Sequence, residues 1–279
     1  MSTYHIRVSI EYKMPLSEAR RCLVIKFTLF LLLATLSAGQ SVDNNTVSGQ
    51  IIANGGGAAE FRKHFSQCKV QTNEFDDCLK NAINNVRSYF TTGVPELGIP
   101  PFDPFFAAEV RQSRSSGLFG YKLSIFNVTE SGWKVSEIRK VKTNLNANTI
   151  KLTHYFPEKY LEGYYEVENT LLRPGVTTVG QFNLTLFDYI QTMTISKPKN
   201  ANKIKVAVQL LEIGNMSLHI SNLMRGRVII ENVLDRIINA SWRVGLPVVK
   251  PLINDLVGVA FTKIWNDIFN NFDFKLILP

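Results

Sequence analysis

The sequence is poor in the groups that most enzyme chemistry needs. Its 279 residues hold three cysteines and four histidines. After His5, the histidines His64, His154 and His219 stand far apart, which excludes an HExxH helix and a histidine-rich metal cluster. No G-x-S-x-G elbow and no G-x-x-x-x-G-K-[ST] loop occurs. The carboxylate pairs are adjacent or near-adjacent, Asp76 with Asp77 and Glu166 with Glu168. The first sits on the wet side of an expected helix and the second on one strand face, where a solvated pair is the simpler account than a glycosidase dyad. A basic stripe interleaved with aromatics is missing as well. Lys134, Arg139, Lys140, Lys142, Lys203 and Lys205 are scattered along alternating strands, the pattern of a solvated face rather than of a nucleic-acid surface. The expectation is no catalytic apparatus, no cofactor, no metal and no nucleic-acid partner.

Long apolar runs are also lacking. The most apolar stretch, Phe27 to Leu36, has ten residues, against about 20 for a bilayer-spanning helix. It follows Arg20 and Arg21 and precedes Ser37, Ala38 and Gly39, the order of a charged n-region, an apolar h-region and a small-residue cleavage site. Residues 1–39 are therefore expected to be a signal peptide cleaved after Gly39, with Met14 an alternative start, and the mature protein to be secreted with no stable membrane insertion. Removing Arg7, Lys13, Arg20, Arg21 and Lys26 together with Glu11 and Glu18 lowers the formal charge from +8 to +5, which is only mildly basic.

Cys22 leaves with the signal, so Cys68 and Cys78 are the only cysteines of the mature chain. In an oxidising compartment they are most simply one disulfide, with two free buried thiols the alternative. Sequons at Asn44, Asn127, Asn183, Asn215 and Asn239 are expected glycosylation sites and mark the water side of their strands. Residues 40–59, with the triple glycine Gly55 to Gly57, have little to bury and read as a flexible leader. A single domain over residues 60–279 follows.

Within it, Phe75, Cys78, Leu79, Ala82, Ile83, Val86, Tyr89 and Phe90 recur at helical spacing, with Asn73 as expected N-cap and Gly93 just past the end. The four prolines of residues 93–104 then favour a stiff extended crossing that is too apolar to lie in solvent. From Gly117 to about Ile220 the apolar period becomes two, as in Phe182, Leu184 and Leu186 or Met216, Leu218 and Ile220. About seven antiparallel strands with one wet face are expected there. Asn127 shares the parity of Ile125, which points to a strand end or bulge. Helical period returns over Val228 to Ala240 and again from Pro251 to about Phe272, with Pro247 and Pro251 expected to interrupt or kink the join. In the last helix Ile253, Val257, Ala260, Phe261, Ile264 and Ile268 share one face, opposite Asp255, Thr262 and Asn266. The class is α+β.

These residues carry a resemblance. Cys68, the second cysteine followed by Leu79, and the run Gly93-Val94-Pro95-Glu96-Leu97-Gly98-Ile99-Pro100-Pro101-Phe102-Asp103-Pro104 resemble the amino-terminal signature of the insect takeout and haemolymph juvenile-hormone-binding protein (JHBP) family. Leu161-Glu162-Gly163-Tyr164-Tyr165 with Leu171-Leu172 resembles its central strand, and Asn239-Ala240-Ser241-Trp242, Pro251 and Ile264 to Phe272 its carboxy-terminal helical region. The chain departs from the family at Glu168-Asn169, where a second glycine is usual, and after Leu172, where a glycine-rich segment is reduced to Gly175 and Gly180.

The resemblance implies a long C-terminal helix wrapped by a strongly curved antiparallel sheet, a relative of the tubular lipid-binding folds, with an apolar tunnel between them and the family's usual disulfide near the amino terminus. It implies a carrier of juvenile hormone, another terpenoid or a fatty-acid-like molecule, in a family associated with hormone transport, feeding, chemosensory tissue and circadian output. Phe102, Phe105, Tyr165, Phe261, Ile264, Trp265 and Ile268 are the expected ligand-binding residues, since they sit on apolar faces of elements that should meet inside, and the Tyr165 hydroxyl is a candidate to orient a polar head. A ligand of about 15 carbons would gain roughly 10 kcal/mol on entry at about 0.8 kcal/mol per methylene. The alternatives are a secreted interaction protein whose interior is filled by its own side chains, and a hydrolase of such ligands.

Overall fold

The computed structural model describes residues 57–70, 72–116, 119–169, 176–198, 201–223 and 228–269. The signal segment, most of the leader, Asn44, Leu171-Leu172 and the expected helix end at Phe272 lie outside the described residues. Two short helices open the domain, α1 (Ala58–Lys63) and α2 (Phe75–Asn85). In α2, Phe75, Leu79 and Ala82 are buried on one side, at the spacing of one helical face, and Asp76 and Asp77 occupy the first turn, where the helix dipole favours negative charge. Asn73 is not its N-cap. Glu74 holds that position and makes no side-chain capping bond. The helix also stops earlier than its apolar spacing suggests, tightening at Val86–Phe90 into a 3-10 turn. Cys68 and Cys78 form a disulfide with Cα atoms 5.4 Å apart, tying the incoming chain to the first turn of α2.

The proline-rich segment is not extended throughout, as its prolines suggested: Pro95–Leu97 close into a 3-10 turn, with Gly98 left-handed after it, so that Val94 and Ile99 pair with each other. It is held at both ends. Gly93, at φ +67°, admits no side chain, since a Cβ would lie 2.4 Å from the Ile99 carbonyl oxygen. The amides of Phe102 and Asp103 both donate to the Phe90 carbonyl, at 2.6 and 2.8 Å.

Seven strands form one antiparallel sheet: β1 (Phe105–Ser116), β2 (Phe119–Ser131), β3 (Glu137–Asn144), β4 (Thr149–Asn169), β5 (Thr177–Ser196), β6 (Lys205–Glu212) and β7 (Asn215–Ile220). Only six lie where period-two patterning was evident. The seventh, β1, begins at Phe105, inside a stretch whose Phe105-Phe106 and Ala107-Ala108 doublets hide the alternation. The frame is the β4–β5 pair, 21 and 20 residues long and paired without a register shift. At about 3.3 Å per residue such a strand runs roughly 70 Å, too long to stay flat under the native twist. It changes neighbours along its length. At one end β4 pairs with β3 and β5 with β6, and at the other β4 pairs with β2 and β5 with β7.

The inward face changes parity midway. Phe156 and Lys159 of β4 both point inward, as do Leu186 and Tyr189 of β5, with Asp188 at φ +50° between the last two. Asn127 sits at a register shift of β2 between Phe126 and Thr129, with φ +51°, as its parity suggested.

The last element is one helix, α3 (Val228–Phe269), continuous through Pro247 and Pro251. The expected interruption does not occur. Both prolines are exposed and four residues apart on one side of the helix, so the carbonyls that lose their N–H partners face water. At about 1.5 Å per residue α3 is roughly 63 Å long, a match for the long strands. Its apolar face, including Ile238, Trp242, Ile253, Val257, Phe261 and Ile264, joins the inward residues of the sheet in one core.

The face opposite that apolar stripe is not idle. Thr262 Oγ1 accepts from the Val206 amide at 2.9 Å and donates to the Val206 carbonyl at 3.1 Å. Asn266 makes the same two-way clamp on Ile204, and Asn239 on Leu218. Asn254 accepts from Leu210, and at Gly258 a Cβ would come within 3.3 Å of the Val206 carbonyl oxygen. Positions 254, 258, 262 and 266 step by one helical turn, while Leu210, Val208, Val206 and Ile204 step by one strand repeat. These rises, about 6.0 and 6.6 Å, nearly coincide. Across the sheet, Gln112 of β1 donates to Asp255 at 3.3 Å, so α3 is held from both sides.

Candidate functional site: the interior between helix and sheet

The seven residues expected to line the interior all belong to its core. Phe105, Tyr165, Phe261 and Ile264 are buried in it, and Phe102, Trp265 and Ile268 pack against it half-buried. They do not form one patch. At the C-terminal end of α3, Phe102 stacks on Phe105 and on Phe269 with ring centroids 6.3 Å apart, and Phe269 meets Trp265 at 4.7 Å. Tyr165 sits apart from this stack, paired with Ile125 and Gly180. Its hydroxyl is already used, donating to the Ser221 carbonyl at 2.7 Å, and burial, with Glu231 nearby, pushes its pKa up. Gly180 is what admits the ring, because a Cβ there would meet Tyr165 Cε1 at 2.7 Å. The Tyr165 hydroxyl is thus a structural bond to the chain after β7 rather than a free head-group ligand.

Between these regions lies a polar cluster that the sequence reading missed. Glu130 and Lys159 form an ion pair inside the core, with side chains 1% and 6% exposed. The Lys159 ammonium sits 4.5 Å from the Trp133 ring centre and 4.2 Å from that of Phe156. Burial pulls its pKa down against the opposing pull of Glu130 and Asp103. Trp133 also contacts Phe261 edge-on at 5.8 Å, which connects the cluster to the expected lining. Tyr189 donates to Gln191 Oε1 at 2.8 Å, and burial raises its pKa.

Local structure explains how these groups get inside. Gly132, at φ +111°, lets the β2–β3 turn press on the β4 backbone, where a Cβ would lie 2.4 Å from the Glu158 carbonyl oxygen. Asp103 fixes the same turn by accepting from the amides of Gly132 and Lys134 at 3.2 and 2.7 Å. Trp133 is thereby turned into the core. A signal for Lys159 did exist: counting back from Tyr165 and Leu161 in steps of two puts it on the inward face.

His154 and Ser136, both buried, are 2.7 Å apart. Ser136 donates its own proton to the Trp133 carbonyl at 2.5 Å, so the imidazole Nε2–H donates to Ser136 Oγ rather than accepting from it. Burial, with smaller contributions from Lys159 and Arg87, pushes the His154 pKa down to about 3. His219 is exposed and pairs with Asp235 at 2.5 Å. Asp76 leaves the solvent side to accept from the amide and hydroxyl of Thr143 at 2.9 and 2.7 Å, with Lys142 at 3.2 Å, which together hold its pKa down. Glu168 pairs with Lys122 at 3.0 Å. Among the described residues no group of three His, Cys, Asp or Glu side chains could hold a metal ion, and no helix is long and apolar enough to cross a membrane. Asn127, Asn183 and Asn215 are exposed, whereas the Asn239 amide is engaged with Leu218.

Fold and interior together define a class of protein in which one long helix lies along the concave face of a curled antiparallel sheet. The chain belongs to the haemolymph juvenile hormone binding protein family, whose model it matches over residues 46–279. Among solved structures it is similar to Takeout 1 of Epiphyas postvittana, at 19% identity and a TM-score of 0.49, over 70% of this chain and 92% of that one. It is more distantly similar to lipopolysaccharide binding protein, at 10% identity and a TM-score of 0.27, over 68% of this chain and 37% of that one. Comparison with curated proteins gives no match.

Proposed function

We propose that the chain is a secreted, non-enzymatic carrier of a small hydrophobic ligand, such as juvenile hormone, another terpenoid or a fatty-acid-like molecule. The observation that carries this reading is the interior itself: helix and sheet of nearly equal length enclose one continuous apolar core that takes in all seven expected lining residues. Membership of a family described by its binding of juvenile hormone supports the ligand class. Export is supported by the signal-like segment ending at Gly39, the disulfide and the sequons. Of these, Asn127, Asn183 and Asn215 are open to a glycan, while one on Asn239 would replace a bond to Leu218. The hydrolase alternative loses support at His154, whose Nε2 donates to Ser136 and whose low pKa makes it a poor base near neutral pH.

Protein purified from its natural source is expected to carry a stoichiometric apolar molecule, visible by native mass spectrometry. Repeated recovery of empty protein that also takes up no fluorescent fatty-acid probe would overturn the proposal. The stacked rings at Phe102, Phe105 and Phe269 favour a second reading, a secreted interaction protein with a self-filled interior. Ile264→Trp separates the two, since a carrier loses ligand capacity and an interaction protein keeps its activity.

A further inference from the structure

The polar cluster in the interior has a hydrogen-bond inventory that does not balance, and the imbalance specifies a chemical group. Lys159 is matched in charge by Glu130. The Tyr189 proton is spent on Gln191, and the His154 Nε2 proton on Ser136. What is left over is Trp133 Nε1–H and Gln191 Nε2–H, two donors without acceptors, and Glu130 Oε2, since Oε1 is the carboxylate oxygen that meets the Lys159 ammonium. All three residues are more than nine-tenths buried. Such atoms destabilise the fold when left unsatisfied, and they fall in one contiguous cluster around Lys159, Phe156 and Tyr189.

We propose that Trp133, Gln191 and Glu130 form the head-group site of the interior and that they select a neutral, hydroxyl-bearing lipid of the long-chain alcohol type. This rests on the carrier reading. A hydroxyl is the smallest group that answers both halves of the inventory, since its oxygen accepts from Trp133 or Gln191 and its proton goes to Glu130. An ester or ketone oxygen accepts but cannot donate, and satisfies only one half. A carboxylate also lacks the proton and places a second negative charge beside Glu130, where the only nearby ammonium is already matched and the low dielectric magnifies repulsion. The aromatic rings of Trp133, Phe156 and Phe261 would flank the first carbons of the chain.

The test uses the full mature protein loaded with N-phenyl-1-naphthylamine, displaced at pH 7.4 by hexadecanol, methyl palmitate and palmitate. Hexadecanol is expected to displace the probe at roughly one tenth of the palmitate concentration, with the ester between them. Gln191→Met and Trp133→Phe are expected to level the series, bringing the three displacing concentrations to within about twofold of one another. Palmitate equal to or better than hexadecanol overturns the proposal, as does an order that survives both substitutions. If either variant fails to fold, the other and the wild-type order still decide. Failure to take up the probe at all would instead sink the carrier reading on which the head-group site depends.

Discussion

The molecule has two cores built on opposite plans. The smaller, between α1, α2 and β3, gathers Phe61, Phe65, Phe75, Leu79, Ile138 and Val141 around a disulfide. Among the described residues no buried charge lies within it. The larger, between sheet and α3, has no covalent tie and encloses an ion pair, a neutral histidine and unmatched donors. Both helices use one further device, an asparagine that accepts from and donates to a single residue on or just before a strand: Asn84 on Ile138 in the first case, Asn239 on Leu218 and Asn266 on Ile204 in the second. The contrast is therefore in what lies behind the clamps. The small core spends its sequence on staying closed. The large one keeps polar groups that cost stability, which selection for packing alone would not retain.

The sharpest way to break the contrast is to unbalance the buried pair. Lys159→Met leaves Glu130 charged and unpartnered, and should cost about 3–5 kcal/mol in urea unfolding, whereas Lys159→Met with Glu130→Leu should recover most of that loss. A single variant as stable as wild type would mean the pair is in contact with water. The staple comes next. Replacing Cys68 and Cys78 with serine should cost about 2–3 kcal/mol. Its effect should concentrate on the small core, with amides of α2 and β3 exchanging faster and those of β5 and β6 changing only with global stability.

How much of this could be seen in the sequence differs between the same two regions. The α2 side of the small core was legible because its cues are local, apolar residues one turn apart, two cysteines ten apart and a glycine at the exit, whereas α1, which starts at Ala58 inside the expected leader and brings Phe61 and Phe65, was not. The class of the larger fold was legible too, and its buried residues on α3 follow from one helical face. The polar cluster was not. It is assembled from β2, the β2–β3 turn, β4 and β5, and Lys159 and Gln191 fall just where the inward parity of β4 and β5 reverses. A two-residue period continued from Phe182 through Leu186 places Gln191 outside, and one continued from Phe156 places Lys159 outside. The mark of the reversal is Pro157, which faces Asp188 where the β4–β5 ladder skips a pair, and it is not among the turn signals that the sequence pattern made evident. The continuity of α3 was hidden for a different reason. Proline rules count a lost hydrogen bond and a clash of the ring with the carbonyl four residues back, and on the exposed side of α3 that carbonyl has room to tilt toward water.

Acid sharpens the contrast further, since among the described residues the small core contains no buried histidine. His154 takes a proton near pH 6.5 when unfolded but only at about 3 when folded. Between those values the unfolded chain binds more protons, so stability must fall as pH drops below about 6.5. By pH 5 the loss from this group is about 2 kcal/mol relative to neutral pH. His154→Gln should flatten that part of the profile, read as unfolding midpoint against pH. A variant with an unchanged slope would assign the acid sensitivity to other groups.

The smallest expected effect tests the clamps themselves. Thr262→Val keeps the shape of the side chain and removes both of its bonds to Val206, leaving an N–H and a C=O on the edge of β6 without partners. If α3 sealed the edge by apolar packing alone, the change would be neutral. With the clamp contributing, it should cost about 1 kcal/mol, and the Val206 amide should exchange several-fold faster while amides in the middle of β4 do not. The matching change in the small core, Asn84→Leu, removes the same kind of clamp from Ile138. There the Asp76 bonds to Thr143 still hold α2 on β3, and the disulfide still ties the incoming chain to α2 behind it, so local exchange at Ile138 should rise less than at Val206. Equal responses at the two sites would show that the staple adds nothing to the local closure of its own core, and that the two regions differ only in their polar contents.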